Sequence, residues 1–210
     1  LTNRIICHEG NVSNNWVRHP DAGERYDQYF SAASRVASFK IHVDVTRTRT
    51  VFQIGSEVRR MRLRHDVGLI VVDGLQLTDP DSATGSRYED VGQVSRRLRA
   101  LAGELKTPII AVAQLNRMVE QRGDHRPRMS DLRESGNIEQ DADVVLLIHR
   151  PDYYDEQDRP GFVELILAKN REGATQTINM TFIKDRGRFE ANDQRDNEAP
   201  APAWDESKAF

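Results

Sequence analysis

The stretch Leu69-Ile70-Val71-Val72-Asp73-Gly74-Leu75-Gln76-Leu77 decides how this 210-residue chain reads. From Leu69 to Val72 every side chain is apolar, and Asp73 ends the run. An unbroken apolar run, unlike an alternating one, suits a strand covered on both faces, as strands of a parallel sheet are. Residues 108–113 (PIIAVA) and 143–148 (DVVLLI) are further runs of the same kind. Between the first two runs, Val91, Val94, Leu98, Leu101 and Leu105 recur at helical spacing, which predicts a helix over residues 88–105.

Working outward, Thr50-Val51-Phe52-Gln53 has the spacing of a capping box, so a helix is expected from there to about His65. Its Ile54, Val58 and Met61 share one face, while Arg59, Arg60, Arg62 and Arg64 lie elsewhere. Just upstream, Ile41, Val43 and Val45 alternate with polar residues, the pattern of a strand over 40–45. Downstream, residues 162–169 and 175–183 form two strands of a hairpin turning at 171–174, with Gly173 as the turn residue. Residues 114–141 are polar and arginine-rich, well beyond the ~12–15 residues at which a loop in a compact domain is usually functional or disordered. The predicted fold is α/β: a mostly parallel sheet flanked by helices, with an antiparallel hairpin at the C-terminal edge. It divides into a helical lead-in (1–38), a core (39–190) and an acidic tail expected to be disordered (191–210).

Composition narrows the function classes. A lone cysteine, Cys7, excludes a disulfide framework and any cysteine-based zinc site. No apolar run approaches the ~18 residues of a membrane span, and no signal segment opens the chain. The expectation is a reduced, cytoplasmic protein with no membrane partner. Only five of the 30 basic residues are lysine, and the arginine excess suits bidentate phosphate binding. The net charge of −3 is carried by residues 191–210, so the rest of the chain is balanced and any nucleic-acid contact is local.

Four constellations are candidates for chemistry. Asp73 ends a buried strand, the way P-loop ATPases present a carboxylate to hydrated magnesium, although acids at strand ends are also ordinary. Gln114 follows the next apolar strand, where an amide can sense a γ-phosphate or simply close a turn. In Asp131-Leu132-Arg133-Glu134-Ser135-Gly136, a guanidinium and several backbone N–H groups can hold a phosphodiester; a solvated loop has the same composition. Lys169 and Arg171, two residues apart at a strand end, lie on one face, fit for an arginine finger acting in trans or for an exposed hairpin. The six histidines show no metal spacing, and Asp131, Glu139, Asp141 and Asp143 read as caps and loop solvation.

Taken in order, LIVVDGLQL, AQLNR, DLRESGNIEQDAD and LAKNREG resemble the C-terminal, RecA-like motor domain of DnaB-family replicative DNA helicases over roughly residues 40–190. The resemblance implies an ATP-dependent DNA helicase that moves along single-stranded DNA and unwinds duplex in DNA replication. It further implies a hexameric ring of identical subunits, ATP and Mg2+ as cofactors, and primase and a helicase loader as further partners. Carried onto this sequence, Asp73 is the Walker B carboxylate that orients magnesium through water. Gln114 couples phosphate state to the DNA loops, and Arg133, Glu134 and Gly136 line the channel and grip the strand. Lys169 and Arg171 reach the triphosphate on the neighbouring subunit.

Two departures stand out. Gly74 takes the place of the family's usual aromatic and is expected to loosen packing there. The residues before the five lysines are Phe39, Leu105, Ala168, Ile183 and Ser207, so no Gly-Lys-[Ser/Thr] phosphate loop is present in this chain. Because the chain opens at Leu1, that loop and the family's catalytic glutamate are expected upstream, and these residues alone are expected to be inactive. The alternative is a non-catalytic, helicase-like module that joins or regulates a ring. A recombinase- or clock-type core shares the sheet but is disfavoured by the RESG loop and the finger hairpin.

Overall fold

The structure, a computed structural model, describes residues 1–19, 23–46, 49–135 and 138–192; at residues 24 and 133–135 it describes the backbone alone. The elements are α1 (Thr2–Gly10), α2 (Glu24–Ala37), α3 (Val51–Arg62), β1 (Ile70–Asp73), α4 (Arg87–Leu105), β2 (Ile109–Val112), α5 (Ile138–Asp141), β3 (Val144–His149), β4 (Phe162–Asn170), β5 (Gln176–Ile183) and β6 (Arg188–Ala191).

α3 starts where its capping box predicts. The Gln53 N–H donates to Thr50 Oγ1 at 3.3 Å and the Thr50 N–H to Gln53 Oε1 at 3.0 Å, satisfying two N–H groups that the helix itself leaves unpaired. All five apolar positions predicted for α4 are buried, and with Val51 and Val58 of α3 they pack over Ile70 and Val72 of β1. A second core joins Leu132, Val145, Leu147 and Ile166, and Ala113 touches both.

β1 and β2 run parallel, with Ile70 opposite Ile109 and Asp73 opposite Val112. β3, β4, β5 and β6 form an antiparallel sheet in that order, so the expected hairpin β4–β5 is its centre. Gly173 sits in the turn of that hairpin, where an added Cβ would come within 2.9 Å of Asn170 Nδ2. β6 was not anticipated. Its four residues, Arg-Phe-Glu-Ala, are too short and too charged to stand out as a strand until β5 offers them an edge. Of the expected tail, Ala191 closes β6, and residues 193–210 lie outside the described residues.

Two expectations are corrected. Residues 40–45 belong to no strand, and Ile41, Val43 and Val45 are 51%, 52% and 86% exposed. Alternation gives a segment a strand's faces, but a strand also needs a neighbour to pair with, and no described element pairs with this one. The apolar runs are likewise covered on one face only: Ile70, Val72, Val145 and Leu147 are buried, while Val71, Ile110, Val112, Val144, Leu146 and Ile148 are about half exposed. On β1 the reason is that α3 and α4 both pack on the Ile70–Val72 side; on β3, Val145 and Leu147 face the second core.

The lead-in is tied to the far end of the chain. α1 and α2 bury Cys7 and Ala32 between them, and burial pushes the Cys7 thiol pKa up. The Asn14 N–H donates to the Asp185 carbonyl at 2.7 Å, and Arg186 donates to Asn11 Oδ1 at 2.6 Å, both at the β5–β6 turn. Among the described residues, no helix is long and apolar enough to cross a membrane.

Candidate functional site

The parallel pairing puts the carboxyl ends of β1 and β2 side by side. Asp73 is the last residue of β1, opposite Val112, and Gln114 follows Val112 by two residues, so both candidates stand at one edge of the sheet. Both are exposed. Asp73 enters no ion pair or side-chain hydrogen bond among the described residues. Between the two strands, Gly74 allows a close backbone approach: a Cβ there would lie 3.2 Å from the Val112 carbonyl oxygen. Glycine at this point therefore tightens the β1–β2 edge instead of loosening it.

Sequence reading missed the residue that joins the two strand ends. After Gly74 the chain makes a single 3-10 turn, Leu75–Leu77, anchored by the buried Leu75. From it, Gln76 Nε2 donates to the Gln114 carbonyl at 3.1 Å, and the Gln114 N–H donates to Gln76 Oε1 at 3.1 Å. The signal was present: Gln76 is a polar residue between two leucines, three positions after Asp73.

The long polar segment after Gln114 is organised, with 3-10 turns at Arg117–Gln121 and Met129–Ser135. Its hub is Asp131, whose expected role as a solvated cap is corrected here. The carboxylate is only 4% exposed and accepts two hydrogen bonds from Arg122 and one from the Arg128 N–H, all at 2.7 Å. The Arg122 guanidinium holds the Asp131 carboxyl below the usual carboxylate range, against the opposing effect of burial. The Asp131 carbonyl also accepts from the Asn116 N–H at 3.0 Å, closing the segment on itself. Arg126 ties the same segment to the antiparallel sheet, donating to both oxygens of Glu164, which also bonds the buried His149 ring at 2.8 Å. Burial pushes Glu164 upward, but the hydrogen bonds from Arg126 and His149 outweigh it and leave the carboxyl below its ordinary value.

Arg133 and Glu134 follow Asp131 within the Met129–Ser135 turn; their side chains, and Gly136 entirely, lie outside the described residues. The loop leads directly into α5, and there it meets the other predicted group. Lys169, near the end of β4, donates to the carbonyls of Glu139 and Ala142, both at 2.7 Å. Arg171, just past β4, donates from its backbone N–H to the Asp143 carbonyl at 2.9 Å and from Nη1 to Asp143 Oδ1 at 2.6 Å. Both cations therefore engage the short segment that follows the RESG loop. Asp143 is a partner that the sequence reading left among the solvated acids.

A parallel β1–β2 pair with α3 and α4 packed on one side, and an antiparallel sheet beyond, is the arrangement of a RecA-like fold. The chain belongs to the family of the DnaB-like helicase C terminal domain, whose model matches residues 1–191. It is 38% identical over 205 residues to the replicative DNA helicase DnaB of Geobacillus stearothermophilus, covering 96% of this chain and 45% of that protein. Among solved structures, one of an ATPase domain superposes with a TM-score of 0.86 at 35% identity, over 91% of this chain and 69% of that one. A DnaB-like replicative helicase described with its interactions with primase gives the same TM-score and identity, over 91% of this chain and 48% of that one. The chain thus spans about half the length of the curated relatives it matches.

Proposed function

We propose that these residues form the C-terminal motor part of a hexameric replicative DNA helicase that couples ATP hydrolysis to movement along single-stranded DNA. The observation that carries this reading is the joint placement of two pairs: Asp73 with Gln114 at one sheet edge, and Lys169 with Arg171 against the segment that follows the RESG loop. Asp73 and Gln114 would face nucleotide bound to the same subunit, and Lys169 and Arg171 nucleotide bound to the next one. Arg133, Glu134 and Gly136 would hold the strand's phosphates in the ring's channel. Primase and a loader are further proposed partners, consistent with the primase-linked relative.

The fit to ATP and magnesium is partial. Asp73 offers an exposed carboxylate, the hard oxygen donor that magnesium takes through its water shell. The phosphate cradle has no candidate, because none of the five lysines follows a glycine. When bound, the nucleotide supplies the phosphoanhydride whose hydrolysis drives the motor. The chain's own residues would orient the metal's water shell (Asp73), respond to the terminal phosphate (Gln114) and place positive charge beside it from the neighbouring subunit (Lys169, Arg171).

The test joins the P-loop portion of a curated relative ahead of Leu1 and measures ATP hydrolysis with and without single-stranded DNA. Arg171→Ala should abolish the DNA-stimulated rate while sparing nucleotide binding. Mixing that variant with one defective only in the P-loop should restore part of the rate, because each supplies what the other lacks across an interface. Normal turnover by the Arg171→Ala protein would overturn the reading.

A further inference from the structure

We propose that Gln76 is a positioning residue: its side chain fixes the backbone of Gln114 beside Asp73, so that the Gln114 amide is presented at a set height over the sheet edge. This rests on the reading of Gln114 as the group that faces the terminal phosphate.

The parallel ladder ends with Asp73 opposite Val112. Past it the ladder stops: Gly74 leads into the Leu75–Leu77 turn, and Gln114 lies two residues beyond the end of β2. Left there, the Gln114 backbone would be the unpaired tip of a strand, free to fray. The Gln76 side chain instead supplies one donor and one acceptor to the carbonyl and N–H of the same residue, both at 3.1 Å, as a neighbouring strand would. Few side chains can do this. Only an amide carries a donor and an acceptor side by side, and asparagine is one methylene too short to replace it from the same anchor. The anchor is firm: Leu75 is 2% exposed, and the Leu77 N–H donates to the Gly74 carbonyl at 3.1 Å, closing the turn. With its backbone engaged, the side-chain amide of Gln114 is exposed and makes no hydrogen bond among the described residues, leaving it available to a ligand. Asp73 and Gln114 thus share one support.

The experiment has two arms. In the 210-residue chain, residue-resolved hydrogen exchange is followed for Gln76→Leu and Gln76→Met, which keep the bulk and remove the amide. Exchange of the Gln114 N–H should quicken about tenfold, the loss of one hydrogen bond, while β1 amides and the thermal midpoint stay near the parent's. In the P-loop-completed protein, Gln76→Leu should lower kcat for DNA-stimulated hydrolysis with little change in KM for ATP. Gln114→Ala should do the same, and the double variant should fall no further than either single one, as for residues acting as a unit. Unchanged exchange at Gln114 in both variants overturns the proposal. So does a full kcat for Gln76→Leu beside a lowered one for Gln114→Ala, or effects that simply multiply. A full kcat for Gln114→Ala itself removes the phosphate-facing reading on which the proposal rests, whereas the exchange arm would still report whether Gln76 holds that backbone.

Discussion

Removing the Asp131 carboxylate should be one of the most damaging single changes in the chain, and Asp131→Asn isolates why. Asparagine keeps the volume, so no cavity term enters. What changes is that a buried acceptor of three 2.7 Å hydrogen bonds loses its charge, and its amide NH2 must face a donor in either orientation: Arg122 Nη1 on one side, or both Arg122 Nη2 and the Arg128 N–H on the other. Breaking a buried ion pair by removing one partner costs about 3–5 kcal/mol. Here the Arg122 side chain is 26% exposed and keeps a 2.7 Å bond to the Arg126 carbonyl, so it regains some hydration. Discounting for that gives about 2–3 kcal/mol, or a fall in Tm of roughly 5–10 °C for a domain of this size.

The assay is thermal and urea unfolding of the parent, Asp131→Asn, Arg122→Ala and the double variant, with Asp124→Ala as control. Asp124 also pairs with arginine, at 2.8 Å to Arg128, but is 46% exposed, so its loss should cost no more than about 1 kcal/mol. The double variant should recover much of the sum of the single losses, because the pair shares one interaction. The Asp131 effect should also persist at high salt, since a buried pair is screened much less than an exposed one. If Asp131→Asn cost less than Asp124→Ala, the hub would be a surface contact and the ordering of residues 116–131 would need another cause.

Two further outcomes are expected. Asp131 and Glu164 both titrate below their unfolded values of about 3.9 and 4.3, so in that window the unfolded chain binds more protons; their contribution is complete above those values and lost as pH falls through the folded ones. Urea midpoints should therefore drop between about pH 5 and pH 3, Glu164→Gln should flatten that limb, and a midpoint unchanged at the acid end counts against both networks. Thr50→Ala should cost about 1 kcal/mol by opening the α3 capping box, with Thr50→Ser close to neutral; an Ala variant as stable as the parent would mean that packing alone fixes where α3 begins.

What the sequence disclosed was what depends on near neighbours. The five apolar positions of α4 and the Thr50–Gln53 box are set within a few residues of one another, and both read directly. Asp73 and Gln114 could be placed at strand ends because apolar runs have visible limits, and the parallel pairing then made them neighbours. Two of the misses involve distance along the chain. Gln76 meets Gln114 across 38 residues, and Asp143 meets Arg171 across 28; neither partner carries any mark of the other. Asp131 meets Arg122 across only nine, yet its burial depends on how the whole segment folds back, so its sequence looks the same as that of a solvated acid. Residues 40–45 show the converse. Their alternation is plain, but a strand is a relation between two segments, and pattern describes only one.

Val71, Ile110 and Val112 of the parallel pair, and Val144, Leu146 and Ile148 of the antiparallel sheet, are apolar yet about half exposed, although an ordinary one-sided sheet would place polar residues there. At about 25 cal/mol per Å2 of apolar surface, such a face is costly to leave in water, so the strand sequences are those of a sheet with two covered sides. Lys169 and Arg171 have a parallel character. Lys169 is bonded to backbone carbonyls, and the Arg171–Asp143 ion pair is exposed, where such a pair is worth about 0–1 kcal/mol, so exchanging Asp143 for a phosphate would cost Arg171 little. A cation fixed for purely internal stability would be expected deeper, as Arg122 is with Asp131. Both cations are held within the described residues, as Gln76, Asp131 and Glu164 are, but at more exposed positions than the Asp131 hub.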